Sequence, residues 1–173
     1  MSCPENQMSE QAEIQIRRAA AHDAAEIWRI LEPTIRAGET YALPQDLSRE
    51  AALAYWMGAD RETFVAEADG RVLGTYYIRP NQLGRGAHVC NCGYMTAADA
   101  AGRGVARTMC AHSLDHARSQ GYRAMQFNFV VSTNVRAVRL WQALGFEIVG
   151  RLPEAFDHPS DGYVDALVMS RKL

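Results

Sequence analysis

No stretch of this chain approaches the roughly twenty consecutive apolar residues that a membrane-spanning helix needs. The opening segment, Met1 to Gln11, is polar and lacks the apolar centre of a secretory signal. There is no excess of basic charge either. Eighteen Lys and Arg stand against twenty Asp and Glu, a net charge of −2. That argues against nucleic acid as a principal partner, because such a partner calls for a clustered basic surface. Cysteine is scarce: Cys3, Cys90, Cys92 and Cys110 are the four present. Cys90 and Cys92 share one face of a strand with His88, but no second Cys/His pair stands clearly at ligand spacing. They read as small buried thiols in a reducing cytoplasm, with no metal. Two familiar phosphate loops are missing as well. A Walker loop needs Gly-Lys-Ser/Thr after its first glycine, which does not occur. G-x-G-x-x-G fails because Arg107 takes the place of the last glycine. Internal repeats and low-complexity tracts are absent.

What remains is an ordinary globular composition over 173 residues, 48% hydrophobic and 22% charged. It predicts a flexible tail over residues 1–12 and one domain over 13–173. Alternating residues 13–18 predict a first strand. Asp23 is expected to cap a helix whose apolar face is Ala24, Ile27, Trp28, Ile30, Leu31 and Ile35. A loop over 37–44 ends in Pro44, and Ser48 is expected to cap a second helix reaching about Gly58. Residues 63–68 and 72–78, joined by Asp69-Gly70, form a hairpin. A glycine-rich link over 80–86 leads to a strand over 87–96, then a helix over 102–119. The strand over 125–131 should place Met125, Phe127, Phe129 and Val131 on one face, with Gln126, Asn128 and Val130 on the other. A helix over 134–144 and strands over 146–150 and 163–170 complete the order.

The most informative segment is Gly102-Arg103-Gly104-Val105-Ala106, between a strand and a long helix. Glycines there allow a tight turn. The free N–H groups of the helix start, aided by its dipole, then form a seat for phosphate. Some thirty residues later Ser132-Thr133-Asn134-Val135-Arg136-Ala137-Val138-Arg139-Leu140-Trp141-Gln142-Ala143-Leu144-Gly145-Phe146 fits S-x-N-x-x-A-x-x-L-[YW]-x-x-x-G-F.

Together these motifs resemble the GCN5-related N-acetyltransferase (GNAT) superfamily. The resemblance implies an α/β (α+β) fold with a central mixed, mostly antiparallel sheet of about seven strands, helices on both faces, and splayed strands 4 and 5. It implies acetyl-CoA as cofactor. Its pantetheine arm would pair with the backbone of Tyr94, Met95 and Thr96, and its pyrophosphate would lie on Gly102, Arg103, Gly104, Val105, Ala106 and Arg107, with Asn134 and Trp141 beside the arm. Ala101 replaces the Gln or Arg usual in the family, and Arg103 or Arg107 could supply the lost side-chain donor. Asn134 also suits a helix N-cap.

Acetyl transfer needs an unprotonated amine, an oxyanion donor and a leaving thiol. The donor is expected to be a backbone N–H near Met95. Trp141 stands where many members place a Tyr acid, and indole cannot protonate a thiolate. A thiol near pKa ~8.5 leaves as thiolate for about 1–2 kcal/mol, whereas deprotonating an amine near ~10.4 costs about 4–5 kcal/mol. Base action therefore matters more, yet residues 87–96 hold no Asp or Glu. The candidates are a water held by Asn91, Asn128 and backbone carbonyls, the Tyr94 hydroxyl, and more remotely His88. The reading adopted is a proton exit through water with no single essential base.

His88-Val89-Cys90-Asn91-Cys92-Gly93-Tyr94 and Gln126-Phe127-Asn128-Phe129-Val130-Val131, with Asn134 and Arg139-Leu140-Trp141, resemble more narrowly the fungal Mpr-type acetyltransferases of L-azetidine-2-carboxylate and related proline analogues. By that resemblance Asn91 and Asn128 line the acceptor site, with Glu39 and Tyr41 on a loop folded over it. The alternatives are another small amine, a peptide N-terminus, or a non-catalytic acyl-CoA sensor. Family habit implies a homodimer paired through the last strands, and the cysteine usage a cytoplasmic location.

Overall fold

The computed structural model describes residues 13–173, so the expected tail and Cys3 lie outside the described residues. The chain runs β1 (Gln15–Arg18), α1 (Ala24–Ala37), α2 (Arg49–Trp56), β2 (Glu62–Ala68), β3 (Arg71–Pro80), β4 (Val89–Thr96), α3 (Val105–Ser119), β5 (Ala124–Val131), α4 (Val135–Ala143), β6 (Glu147–His158) and β7 (Gly162–Lys172). One seven-stranded sheet results, in the order β1-β2-β3-β4-β5-β7-β6. Its neighbours are antiparallel except β4 and β5.

Local chemistry sets these elements. Asp69 and Gly70 both take positive φ (53° and 72°), the turn that matches hairpin twist, and Ala68 pairs with Arg71 across it. On α1 the residues Ile27, Ile30, Leu31 and Ile35 are all buried, one stripe at helical spacing. The Ser48 hydroxyl accepts the Ala51 N–H at 3.1 Å and starts α2 as expected.

The two faces of β3 sort the layers. Thr75 and Tyr77 look toward α2, where the buried Trp56 donates its indole N–H to Thr75 Oγ1 at 3.0 Å and meets the Tyr77 ring edge-on at 4.9 Å. Tyr76 looks the other way. It stacks on Phe64 and hydrogen-bonds His112 of α3 at 2.7 Å. Helices therefore cover both faces of the sheet.

Three expectations need correction. Asp23 does not cap α1: its backbone is already helical (φ −78°, ψ −8°) and its side chain makes no cap bond. Its carboxylate instead accepts the Ala20 N–H at 2.7 Å and two Arg17 N–H groups at 2.8 Å each, tying β1 to the start of the helix. Val130 does not face away from Phe127. Phe127 pairs with Met169 and Val130 with Leu167, so β5 carries one extra residue there. That bulge returns Val130 to the Phe127 face and turns Val131, expected there, to the other face. The last two strands are far longer than their apolar runs, because they pair with each other from Glu147–Ser170 to His158–Gly162.

The Arg17 guanidinium holds the buried Asp23 carboxyl down at about 2. Asp23→Ala should cost about 1–3 kcal/mol in urea denaturation at neutral pH, the scale of charge-assisted hydrogen bonds. With its folded pKa depressed, Asp23 contributes fully above the ordinary carboxylate value near ~4 and loses its contribution as pH falls toward 2. The gap between wild type and variant should close over that window. A gap undiminished at pH 2 contradicts the ion-pair assignment.

Candidate functional site

β4 and β5 pair only at Val89–Ala124 and Cys90–Met125. Beyond that point they diverge, and a cavity of ≈ 380 Å³ opens between and beside them. Aromatic side chains hold the divergence on the α3 face. The Trp141 indole of α4 lies 5.1 Å from the Tyr94 ring of β4 and 5.2 Å from the Phe127 ring of β5, and Phe127 stacks on Phe146 at 4.3 Å. On the opposite face Gly93 makes room for Tyr77, because a Cβ there would sit 2.7 Å from that ring.

Backbone groups of successive strand residues point to alternate sides. The Ala97 N–H donates to Leu73 O on β3 at 2.8 Å, and Val89 O accepts the Asn81 N–H at 2.8 Å. Odd-numbered β4 residues thus serve β3, and Cys92, Tyr94 and Thr96 turn their main-chain groups to the gap. The strand alternation narrows the expected donor near Met95: the N–H of Met95 itself faces β3, and that of the neighbouring Tyr94 faces the gap. In this structure both the N–H and the C=O of Tyr94 are bonded to the Tyr41 hydroxyl, at 2.9 Å each.

At the far end of β4 a 3-10 turn over Ala98–Ala100 leads into the glycine loop. Gly102 and Gly104 take φ of 81° and 80°, the left-handed region open to glycine. Apart from the flanking residues, no atom lies within 4 Å of where a Cβ would project at either position. The first intrahelical bond of α3 is Thr108 N–H to Gly104 O at 2.9 Å. The N–H groups of Gly104, Val105, Ala106 and Arg107 therefore lack helical partners and carry the positive end of the dipole. Arg103 and Arg107 are exposed on either side. Such free N–H groups at the mouth of the gap can receive an anion.

The remaining expected side chains are distributed unevenly. Asn134 caps α4, its Oδ1 accepting the Ala137 N–H at 3.3 Å, and it lines the cavity. Asn91 lines the cavity and donates its amide to Gln126 O at 2.9 Å, while its Oδ1 makes no hydrogen bond within the described residues. Asn128 also lines it, accepting from Gln126 Nε2 and donating to Asn81 Oδ1. Glu39 is exposed and does not line it. The Tyr94 hydroxyl is 2.7 Å from Ser113 Oγ on α3, and burial raises its pKa well above the ordinary value, so it is not available as a base near neutral pH. His88 is exposed on Arg85 O at 3.0 Å, away from the cavity.

Residues 24–146 match the family described as Acetyltransferase (GNAT) family. The chain belongs to that family. Over 98 residues it is 35% identical to the N-acetyltransferase aca1 of Schizosaccharomyces pombe, a match covering 56% of this chain and 47% of aca1. It thus spans about half the length of that curated relative. A GCN5-related N-acetyltransferase from Kribbella flavida is 46% identical, with TM-score 0.89 over 92% of this chain and 98% of that one. A phosphinothricin acetyltransferase from Sinorhizobium meliloti, solved with acetyl-CoA, shares the fold at 21% identity, with TM-score 0.81 over 92% of this chain and 88% of that one.

GNAT enzymes use acetyl-CoA, and the residues here fit it. The loop carries no Cβ at Gly102 or Gly104, where a pyrophosphate would approach, and β4 offers the amides of the arm a ladder edge with no neighbouring strand. Sequence reasoning missed Tyr55, Tyr77 and Arg79, which line the cavity with Asn91. Arg79 pairs with Asn91 across the β3–β4 ladder, so the two side chains share a face. The neighbouring Arg61 lies over the Tyr55 and Tyr77 rings at 5.0 and 4.7 Å, and grips Asp60 at 2.8 and 3.0 Å. Arg79 reaches the same carboxylate at 3.2 Å. Two guanidiniums share one carboxylate, and Arg61 Nη1 and Arg79 Nε are buried without a partner among the described residues. The signal lay in a long-range register that no local pattern reveals.

Asn134→Ala should lower stability by about 1 kcal/mol through loss of the N-cap, and Asn134→Ser, which keeps a capping oxygen, should restore most of it. Urea midpoints for the three proteins measure this. No loss in the alanine variant contradicts the cap.

Proposed function

We propose that this chain is an N-acetyltransferase that moves the acetyl group of acetyl-CoA directly to the amine of a small molecule carrying a carboxylate, with a proline analogue such as L-azetidine-2-carboxylate as the acceptor. The observation that carries the acceptor class is the charge of the cavity wall. Arg79 is the one ionisable cation among the described lining residues, and no carboxylate or histidine lines the cavity. An acceptor with an anion beside its amine satisfies that wall. A polyamine would find no acid to meet it.

When bound, acetyl-CoA supplies an acetyl thioester and a thiolate leaving group. The amides of Gly102, Gly104, Val105, Ala106 and Arg107, with the Arg103 and Arg107 side chains, hold its phosphates. Main chain at Tyr94 and Thr96 aligns the arm, Met95 and Trp141 form the wall beside it, and Asn134 faces it. Arg79 holds the acceptor carboxylate, while Asn91 Oδ1 and Asn128 orient the amine or a water next to it. Tyr41 bounds the acceptor side, and Glu39 stands on the same loop. With no side-chain base on the wall, the amine proton leaves through water. That leaves the amine's own deprotonation cost of about 4–5 kcal/mol at neutral pH largely in place.

The β6 strand ends the sheet and exposes Ile148, Val149 and Leu152, which supports a homodimer paired along the last strands. Sedimentation should then show twice the chain mass, and a monomer at working concentration rejects it. No helix of the described residues is long and apolar enough to cross a membrane. The reducing environment that suits the buried free Cys90, Cys92 and Cys110 is the cytoplasm.

Mass spectrometry of acetyl-CoA reactions with azetidine-2-carboxylate, its carboxamide, cis-4-hydroxyproline, a polyamine and a short peptide tests the reading. Acetylation selective for the carboxylated imino acids supports it. Preference for the polyamine or peptide rejects the acceptor class, and CoA binding without turnover on any amine points to a sensor. Arg79→Gln should raise KM for the carboxylated acceptor about 10- to 100-fold, the scale of a charge-assisted hydrogen bond, with KM for acetyl-CoA unchanged. For the carboxamide the variant should behave as wild type. The logarithm of kcat/KM should climb with pH at a slope near one toward the amine pKa. A plateau beginning near pH 6–7 would reveal a side-chain base instead.

A further inference from the structure

Tyr41 sits in the connection between α1 and α2, and its hydroxyl does what a neighbouring strand would do for Tyr94. It donates to the C=O and accepts from the N–H of that one residue, at 2.9 Å each. These are the two main-chain groups that a strand-like ligand in the gap must use, and one N–H makes one good hydrogen bond. The hydroxyl and an amide-bearing arm therefore compete for Tyr94.

The surroundings of Tyr41 suit an exchange. Its connection is fixed at both ends: Gln45 Nε2 donates to Arg36 O at 3.0 Å, and Arg36 Nη1 donates to Leu47 O at 3.0 Å. Between these ties the ring meets Trp56 edge-on at 6.0 Å. Thr40, Tyr41, Ala42 and Leu43 form part of the acceptor wall. Behind them a second cavity of ≈ 440 Å³ separates Tyr41, Ala42 and Leu43 from Phe156 and His158, so the phenol has space to enter.

We infer that Tyr41 is an exchangeable partner of the β4 edge: its hydroxyl holds the Tyr94 N–H and C=O in the ligand-free chain, and the acyl-CoA arm takes both groups from it, moving the 40–43 segment and reshaping the acceptor wall. This rests on the donor-site reading above. Donor binding then precedes productive acceptor binding, because the same displacement that seats the arm sets the wall against which the acceptor lies. Tyr41 is in this sense a positioning residue, acting on the acceptor through the segment that carries it.

Tyr41→Phe keeps the ring against Trp56 and removes only the hydroxyl. Site-resolved amide exchange without ligand should show Tyr94 exchanging at least tenfold faster in the variant. Calorimetry with CoA should give a Kd roughly fivefold to tenfold lower, since removing a competitor spares the arm a displaced hydrogen-bond pair. The acceptor KM should rise at unchanged saturation with donor. Equal Tyr94 exchange in both proteins overturns the inference, as does equal or weaker CoA binding by the variant. If wild type binds no CoA, the donor-site reading falls and this inference with it. If wild type binds CoA and the variant gains nothing, only the inference falls.

Discussion

Beyond Cys90, β4 loses β5 as its neighbour, and the main-chain groups left facing the gap govern the arrangement around them. Buried backbone donors and acceptors demand partners. Here the demand is met from outside the sheet, by a tyrosine hydroxyl arriving from a helix connection. Trp141 fills the opposite face by touching aromatics from both strands, so the divergence is held open rather than merely left unpaired. The glycine loop stands at the end of the same strand. A cofactor with a strand-like arm and a phosphate head needs these two features in line, and a single strand supplies both.

The chemistry at the other end of the cavity follows from what its wall omits. No carboxylate or imidazole of the described residues lines it, so the proposed reaction loses its proton through water and depends on placing an amine that is already neutral. Arg79 fits that economy. Holding a carboxylate orients the adjacent nitrogen without adding a titrating group to the reaction path. Among the described residues Arg61 and Arg79 share the carboxylate of Asp60 and each keeps a buried N–H without a partner, so the cluster has room for a further anion.

The sequence disclosed the fold well where local chemistry decides it. The Asp69-Gly70 turn, the Ser48 cap, the buried stripe of α1 and the glycine loop are each written within a few residues. It disclosed less where distant residues decide. Asp23 looked like a cap because its partner Arg17 belongs to a strand whose approach no spacing predicts. Val130 was placed on the wrong face because a bulge is created by pairing with β7. Which N–H near Met95 faces the gap was open because strand alternation depends on which β4 residues pair with β3. Tyr94 was a candidate base until Ser113 claimed its hydroxyl, and Arg79 went unnoticed because its place beside Asn91 is a matter of register. In each case the residues near the site were legible and their orientation was not.

The most direct test of the donor cleft is an amide chemical-shift titration of the isotopically labelled chain with CoA. The account predicts large shifts at Gly102–Arg107 and, along β4, at Tyr94 and Thr96, with the interleaved Met95 much less affected because its N–H serves β3. Shifts spread evenly along β4, or confined to another surface while the glycine loop stays silent, would contradict it.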